Sequence, residues 1–353
     1  MAISYKVFND GMLDGMRLVG DPAADEFIKR VFADDEAKFK LQQWMGGKSD
    51  EKHLASFKAS FSAERFITQS NDLPVWADPL LIQAGSAFFA RHAETIMSLL
   101  GLLSLPYCYT ASNGAMVLYL SELIKKQTTK RLHDTAVFVW EVMAPDAFGP
   151  QGNAYEEILK VRIMHAAVRY YTLKHDKWDT SLGVPINQED MAGTNLSFSL
   201  IVMRGLRLLG FSVSQQEQNA FMHVWAVIGH FMGLQDDFIP KTTKLAQQLD
   251  LAIKQRHFRT SLHGIELTKS LTDHILKVNQ SKATEVEILG LMRYLLGNEI
   301  ADMLSIQAPE LPKYKITLIR TINYLKGLKA DGNTIQNYRT AYAKFKKQSA
   351  AIA

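Results

Sequence analysis

A histidine with two nearby arginines is the arrangement in this sequence with the clearest capacity for chemistry. His165 ends the segment 162–165, which begins with Arg162, and Arg169 follows four residues later. In a helix both offsets return to the face of the histidine, so one imidazole would lie between two guanidinium groups. A haem needs an axial nitrogen for its iron, an apolar slot and cations for its propionates. The segment therefore leaves two interpretations open: a haem site with His165 as the metal ligand and Arg162 and Arg169 as cofactor-binding residues, or a structural core histidine, which is the commoner role of a lone histidine on an apolar helix face.

The elements that must position this site are helices. Apolar residues around His165 recur with the helical period, and other segments rich in Leu, Met, Ala and aromatics lack the strict alternation of a half-buried strand. The clearest of these are 204–209, 221–232 and 288–296. The pattern predicts an all-α protein.

Clusters of Gly, Pro, Asp and Asn interrupt the helical pattern and predict loops. They fall at 74–79, 145–152, 174–185 and 307–312, and none is long enough to be an interdomain linker. We therefore expect one large helical domain over residues 71–353. Residues 1–70, in which 34–36 open a helix, are expected to form an N-terminal helical extension packed on it.

Composition narrows the class of protein. With 47% hydrophobic and 22% charged residues the chain matches a globular protein with a sizeable core. A net charge of +4 with dispersed basic residues argues against a nucleic-acid partner, and the lysines at 344–347 are expected to be a solvated helix end. The single cysteine, Cys108, excludes an internal disulfide and a cysteine-rich metal cluster.

Two segments bear on location. The first twenty residues carry four charged side chains and no apolar core of a signal peptide, so we expect a cytoplasmic protein. The stretch 95–121 has no charged residue, but Pro106 and the pair Asn113-Gly114 divide it into pieces of the length of buried helices. No integral membrane span is expected there.

Three blocks in order carry a resemblance to a known family. They read RIMHAAVR, then WDTSLGVPINQEDMAGTNLSFS, then HVWAVIGHFMGLQDDFIP, and with the upstream segment below they cover about a third of the chain, residues 131–240. This order resembles the latex-clearing-protein and MpaB-like haem oxygenase family. The resemblance implies helix packing like that of globins around a haem pocket, with b-type haem as cofactor and His165 as the iron ligand. It also implies an oxidoreductase that uses dioxygen on a hydrophobic small-molecule or polymer substrate.

The segment KRLHDTAVFVW resembles the distal-side helix of that family. The resemblance implies that Arg131 and Thr135 project toward the open coordination position, and their i, i+4 spacing places them on one helix face. Where rubber-cleaving members can have an iron-capping lysine, this chain has Asp134, which argues against a lysine-closed state and against polyisoprene as substrate. Asp134 and Glu122 are candidates for the catalytic base. The alternative is a surface i, i+3 ion pair between Arg131 and Asp134.

The third block contains two histidines, and the second contains a polar run. His223 and His230, two helical turns apart, are expected to contact a propionate or to orient the site, and structural packing is the alternative. The run 187–190 is expected to cap a helix with acids at its positive end.

Two other functions remain open. A haem-binding or oxygen-sensing protein without turnover would need the same histidine. A class I terpenoid synthase would need paired aspartate motifs, but Asp236 and Asp237 lack the DDxxD partner motif. The sequence favours an oxygenase acting on an isoprenoid or lipid-like alkene, in a pocket lined by Phe138, Trp140 and Met143.

Overall fold

The protein is built from helices joined by short turns. The computed structural model describes residues 8–47, 51–120, 122–174, 178–278, 283–328 and 334–350. The first helices are α1 (Asp10–Arg17), α2 (Pro22–Val31), α3 (Asp35–Gly46), α4 (Glu51–Ser60), α5 (Arg65–Thr68), α6 (Pro79–Leu99), α7 (Leu105–Thr110) and α8 (Ser112–Leu120). The middle ones are α9 (Glu122–Val142), α10 (Ala154–Leu173), α11 (Gln188–Phe198), α12 (Leu200–Leu208) and α13 (Gln215–Phe231). The last are α14 (Thr243–His257), α15 (Leu262–Val278), α16 (Glu285–Leu296), α17 (Asn298–Met303), α18 (Lys313–Leu328) and α19 (Thr334–Ala350).

The expectation of an all-α fold is confirmed. Within the described ranges the extended structure is limited to one isolated bridge, between Ala111 and Phe258. The four predicted loops all lie between helices, with a short 3₁₀ turn in the third.

Side-chain caps fix where several helices begin. Asp34 accepts hydrogen bonds from the amides of Glu36 and Ala37, which confirms the helix start predicted there. Asn187 accepts a hydrogen bond of 3.0 Å from the amide of Asp190, as predicted for the polar run. Each cap satisfies a first-turn N–H that has no partner within its own helix.

The charge-free stretch is divided differently from the prediction. Pro106 does not interrupt the helical structure, because a π-helix over Leu100–Ser104 joins α6 to α7. Proline lacks the amide that would continue the α-helical bonding, and the wider π turn absorbs that loss. The break falls at Ala111, where the backbone leaves the helical region. No helix in the described part of the chain is long and apolar enough to cross a membrane.

The largest core forms around α6 and α13. Phe88 and Phe89 of α6 and Phe221 and Val224 of α13 are fully buried in it. Trp140 and Met143, predicted to line a substrate pocket, also lie in this core rather than on an open wall. The ring of Trp140 stacks on Tyr342 of α19 at 5.2 Å, so the C-terminal helix covers this side of α9.

The N-terminal helices pack against α10. Phe27 of α2, Trp44 of α3 and Phe57 of α4 share a separate core with Leu159 and Ile163 of α10. Helices α2, α3 and α4 therefore pack on the helix that carries His165. A boundary near residue 70 stays a prediction.

A buried polar hub holds α1 and α11 together. Glu189, at the start of α11, is completely buried and pairs with Arg17 at 3.2 Å, Arg256 at 2.9 Å and His257 at 2.8 Å. Gln188 donates to the carbonyls of Gly20 and Gly233. The capping segment predicted from sequence is thus also the anchor of the N-terminal helix, which capping geometry alone does not reveal.

Candidate functional site

Helix α10 places His165 in a half-buried position among apolar neighbours. Ile163 and Ala166, beside it in sequence, face the core. The Nδ1 atom of His165 is buried and has no hydrogen-bond partner. Burial lowers the pKa of His165 to about 3, and the positive charges of Arg169 and Arg131 contribute to the same shift. The imidazole is therefore neutral at physiological pH, which is the form that binds a metal.

Helix α9 brings Arg131 to the same place. Its charge acts on His165, and burial lowers the pKa of Arg131 against the opposing effects of Tyr109 and Asp134. Within the described ranges Arg131 has no ion-pair partner. A largely desolvated guanidinium without a carboxylate partner is unusual, since buried charges are normally paired. Thr135, one turn further along α9, is half-buried.

Asp134 lies on the exposed side of α9. Its carboxylate forms an i, i+4 ion pair of 2.8 Å with Lys130 rather than the i, i+3 pair with Arg131 considered from sequence. Both members of this pair are solvent-exposed, so it contributes little to stability. The catalytic role predicted for Asp134 stays a prediction. The side chain of Glu122, the other candidate base, lies outside the described residues.

Tyr109 of α7 joins the site, and sequence reasoning missed it. The residue is buried, and its hydroxyl has no hydrogen-bond partner among the described residues. Burial raises the pKa of Tyr109 to about 12, and the charge of Arg131 opposes this shift. The charge of Arg131 on α9 thus acts on a phenol of α7 and on the imidazole of α10. Nothing in the local sequence around Tyr109 indicates that α7 meets α9 and α10.

Arg162 and Arg169 already have carboxylate partners. Arg162 donates two hydrogen bonds to Asp21, from Nε to Oδ2 at 2.5 Å and from Nη2 to Oδ1 at 3.0 Å. Arg169 donates from Nε to Asp25 at 2.6 Å, and its Nη2 is buried without a partner. Both carboxylates belong to the start of α2, so the two arginines fasten that helix to α10. Their predicted contact with haem propionates stays a prediction.

The backbone at Gly233 closes over the first of these pairs. Its φ of +91° suits glycine, and a side chain there would approach Asp21 Oδ2 to 2.2 Å and Arg162 Nε to 3.0 Å. The turn after α13 therefore seals the ion pair from solvent.

His223 and His230 of α13 face a tryptophan rather than His165. The indole of Trp76 lies edge-on to both rings, each at 5.8 Å. His223 Nε2 accepts a hydrogen bond of 2.8 Å from the amide of Asp78, and His230 Nδ1 lies 2.6 Å from Asp236. Among the described contacts none joins either histidine to His165, so their predicted cofactor contact stays a prediction beside this packing role.

The donor set at His165 indicates what kind of metal group it could hold. The described residues contain no group of three or more His, Cys, Asp or Glu side chains arranged to bind a metal ion. Burial raises the pKa of the Cys108 thiol to about 11, which disfavours its thiolate form. A metal bound at His165 would need its remaining ligands from another source, and a porphyrin supplies four nitrogens. A neutral histidine with apolar neighbours, acting as a single protein ligand to the metal, fits a haem.

Comparison with known proteins places the chain in a class. Residues 90–322 match the family described as "ER-bound oxygenase mpaB/B'/Rubber oxygenase, catalytic domain", so the chain belongs to that family. The match includes α7, α9 and α10, which carry the candidate site.

Two individual relatives agree with this assignment. A rubber oxygenase from Streptomyces sp. (strain K30) is 27% identical over 244 residues, which cover 68% of this chain and 60% of the relative. The solved structure titled "Structure of Latex Clearing Protein LCP in the closed state" superimposes with a TM-score of 0.75 over 92% of this chain and 90% of that one, at 22% identity. The helical fold is therefore shared with latex clearing protein.

Proposed function

We propose that this protein is a haem-b-dependent oxygenase that uses dioxygen to oxidise an alkene in a hydrophobic, isoprenoid or lipid-like substrate. Family membership supports the oxygenase class, and the name of the Streptomyces relative supports a polyisoprene-like substrate class, contrary to the expectation drawn from Asp134. The aligned part spans 60% of that relative, so activity and substrate are proposed for this chain and not transferred.

The observation that carries the proposal is the environment of His165. A buried imidazole nitrogen without a hydrogen-bond partner, such as Nδ1 of His165, costs about 1–3 kcal/mol unless some group satisfies it. A pKa of about 3 keeps the ring neutral across the physiological range, so no proton competes for it. His165 would therefore hold the iron. When bound, the haem would supply the redox chemistry through which dioxygen reacts with an alkene.

The other residues of the site would bind and orient. Arg131, with no carboxylate partner in the described part of the chain, is available to a propionate or to a polar, oxygen-derived group. Tyr109 keeps its proton up to a pKa of about 12 and can donate a hydrogen bond from its hydroxyl. Thr135 would add a second hydroxyl beside Arg131. The apolar neighbours of His165 would exclude water from the site.

The first experiment is the absorption spectrum of the purified protein and of two histidine variants. His165→Ala should lose or shift the Soret band and remain folded by circular dichroism. His92→Ala is the matched control, since His92 is also a buried neutral histidine, with a pKa lowered to about 4 by burial, but it packs against Phe88 and Phe211 in the core. A colourless protein that takes up no added hemin would refute haem binding.

The second experiment separates turnover from binding. Dioxygen consumption is measured with reductant and a panel of isoprenoid alkenes. Arg131→Gln should keep the Soret band and lower the rate about a hundredfold, whereas Asp134→Asn should change it less than threefold because Asp134 is exposed and paired with Lys130. A protein that binds haem and consumes no dioxygen with any alkene would be a haem-binding protein without turnover.

A further inference from the structure

Helix α18 has an apolar stripe that nothing in the described chain covers. The stripe consists of Tyr314, Leu318, Ile322 and Leu325, which are 68%, 56%, 43% and 52% exposed. Successive residues of a helix turn by about 100°, so these four fall within an arc of about 80°. Isolated exposed apolar residues are common, but four on one helix face are a contiguous patch that marks an interaction site. Beyond Ile322 the helix packs on the protein, where Ile319 adjoins the main core and Asn323 donates to the carbonyl of Leu209.

Basic residues lie on the flanks of α18 outside the stripe. Lys315 lies beside Ile322 on the helical projection; beyond the other edge threonines and Tyr324 come first, and Lys313 and Arg320 lie about 100° and 120° from Tyr314. Lys315 pairs with Glu287 at 2.5 Å, whereas Lys313 and Arg320 are exposed and have no ion-pair partner within the described ranges. Helix α18 itself contains no acidic residue.

The whole C-terminal segment is also rich in basic residues. Residues 313–350 contain nine Lys and Arg and one acidic residue, Asp331, although the complete chain has a net charge of only +4. The rest of the sequence, with 31 basic and 35 acidic residues, is therefore net acidic. Glu94 of α6 lines a cavity of about 320 Å³ together with Ile319 and Asn323 of α18, and it pairs with Lys344 of α19 at 2.6 Å. The two C-terminal helices thus flank the same part of α6.

We propose that α18 docks this protein on an anionic lipid bilayer, with the stripe of Tyr314, Leu318, Ile322 and Leu325 buried among the acyl chains. A helix lying in the membrane interface needs an apolar face, basic residues outside that face and aromatic residues near the headgroups; α18 has the stripe, the exposed Lys313 and Arg320, and Tyr324. An apolar stripe alone would also suit a second copy of the chain, but a dimer interface does not explain a helix with exposed basic residues and no acidic residue. A nucleic acid would use the basic residues and leave the apolar stripe in water.

The surface is separate from the candidate haem site. Helix α18 contributes no residue to the group formed by Tyr109, Arg131 and His165, so vesicle binding and haem binding are tested independently. A failure of either proposal leaves the other intact.

The test is co-sedimentation of the full chain with vesicles. Binding to vesicles of phosphatidylcholine mixed with phosphatidylglycerol should be strong at low salt and weaker at high salt, and binding to phosphatidylcholine alone should be at least tenfold weaker. Leu318→Glu should reduce binding to the mixed vesicles more than tenfold. The matched control is Leu251→Glu, a leucine of α14 that is 54% exposed, and it should bind like the original protein. Lys313→Gln and Arg320→Gln should each weaken binding about fivefold.

Three results would overturn the proposal. These are absence of binding to the mixed vesicles, equal binding by Leu318→Glu and Leu251→Glu, and a lipid-free dimer in light scattering that Leu318→Glu abolishes. Circular dichroism of each variant confirms the fold; all four substituted side chains are solvent-exposed, so unfolding is not expected.

Discussion

Replacing Asp21 with asparagine tests how tightly the N-terminal helices are fastened to the helix that carries His165. Asp21 is buried, caps α2 and accepts two hydrogen bonds from Arg162. Asparagine keeps the cap and one acceptor oxygen, because it caps helices as well as aspartate does. It removes the negative charge and leaves the mostly buried guanidinium of Arg162 without a counter-ion.

The expected loss follows from that geometry. Removing one partner of a buried ion pair costs about 3–5 kcal/mol, and the oxygen that asparagine retains recovers part of this. We expect Asp21→Asn to lower the free energy of unfolding by about 2–4 kcal/mol, measured by urea denaturation at equilibrium with an unchanged denaturant dependence.

The control is Asp34→Asn. Asp34 caps α3 in the same manner, but it is exposed and contacts no arginine in the described structure. Its replacement should change the free energy of unfolding by less than about 0.5 kcal/mol. If the two variants lose equal stability, the pair between Asp21 and Arg162 does not hold the N-terminal helices in place.

Three further predictions concern the core and the polar hub. Gly85→Ala should lower the free energy of unfolding by about 1–3 kcal/mol, because the new methyl group would meet the Ala220 carbonyl oxygen at 2.5 Å, whereas Gly15→Ala, with open space around it, should raise it by about 0.5–1 kcal/mol. Urea denaturation measures both changes. If Gly85→Ala lost no stability, that result would contradict the close contact of α6 and α13. Burial lowers the pKa of His92 from 6.5 to about 4, so between these pH values the unfolded chain binds a proton that the folded one does not. The free energy of unfolding of the original protein should therefore fall with decreasing pH more steeply than that of His92→Phe, and the two slopes should differ by about 1.4 kcal/mol per pH unit. Parallel pH profiles would refute the lowered pKa of His92. Glu189→Gln should lower the free energy of unfolding by about 3–5 kcal/mol in the same assay, because Glu189 is the buried counter-charge of Arg17 and Arg256. A loss below about 1 kcal/mol would mean that other carboxylates replace Glu189 as the partner of these arginines.

Features that depend on local chemistry could be predicted from sequence. The helix around His165, the cap at Asn187 and the loops follow from periodicity, capping residues and turn residues within a few positions of each other. The misplaced break in the charge-free stretch shows the limit of this reasoning. A proline normally ends or kinks a helix. The π-helix that precedes Pro106 allows α6 and α7 to continue as one helical segment.

Features that depend on distant partners could not be predicted. The offsets of Arg162 and Arg169 place them on the face of His165, but the helical period does not reveal which element covers that face. The structure covers it with Asp21 and Asp25, which lie more than a hundred residues earlier in the chain. Tyr109 was missed for the same reason, because its approach to Arg131 is set by the packing of α7 on its neighbours.

This difference changes which cation matters at the candidate site. A guanidinium that already grips a carboxylate is largely neutralised and would have to lose that partner before it could bind a propionate. Arg162 and Arg169 are in this position, whereas Arg131 has no such partner in the described part of the chain. Arg131 is thus ready to meet an incoming negative charge without breaking an existing ion pair. The two arginines nearest to His165 in sequence serve to fix its helix, and the arginine contributed by α9 is the one with charge available for a ligand.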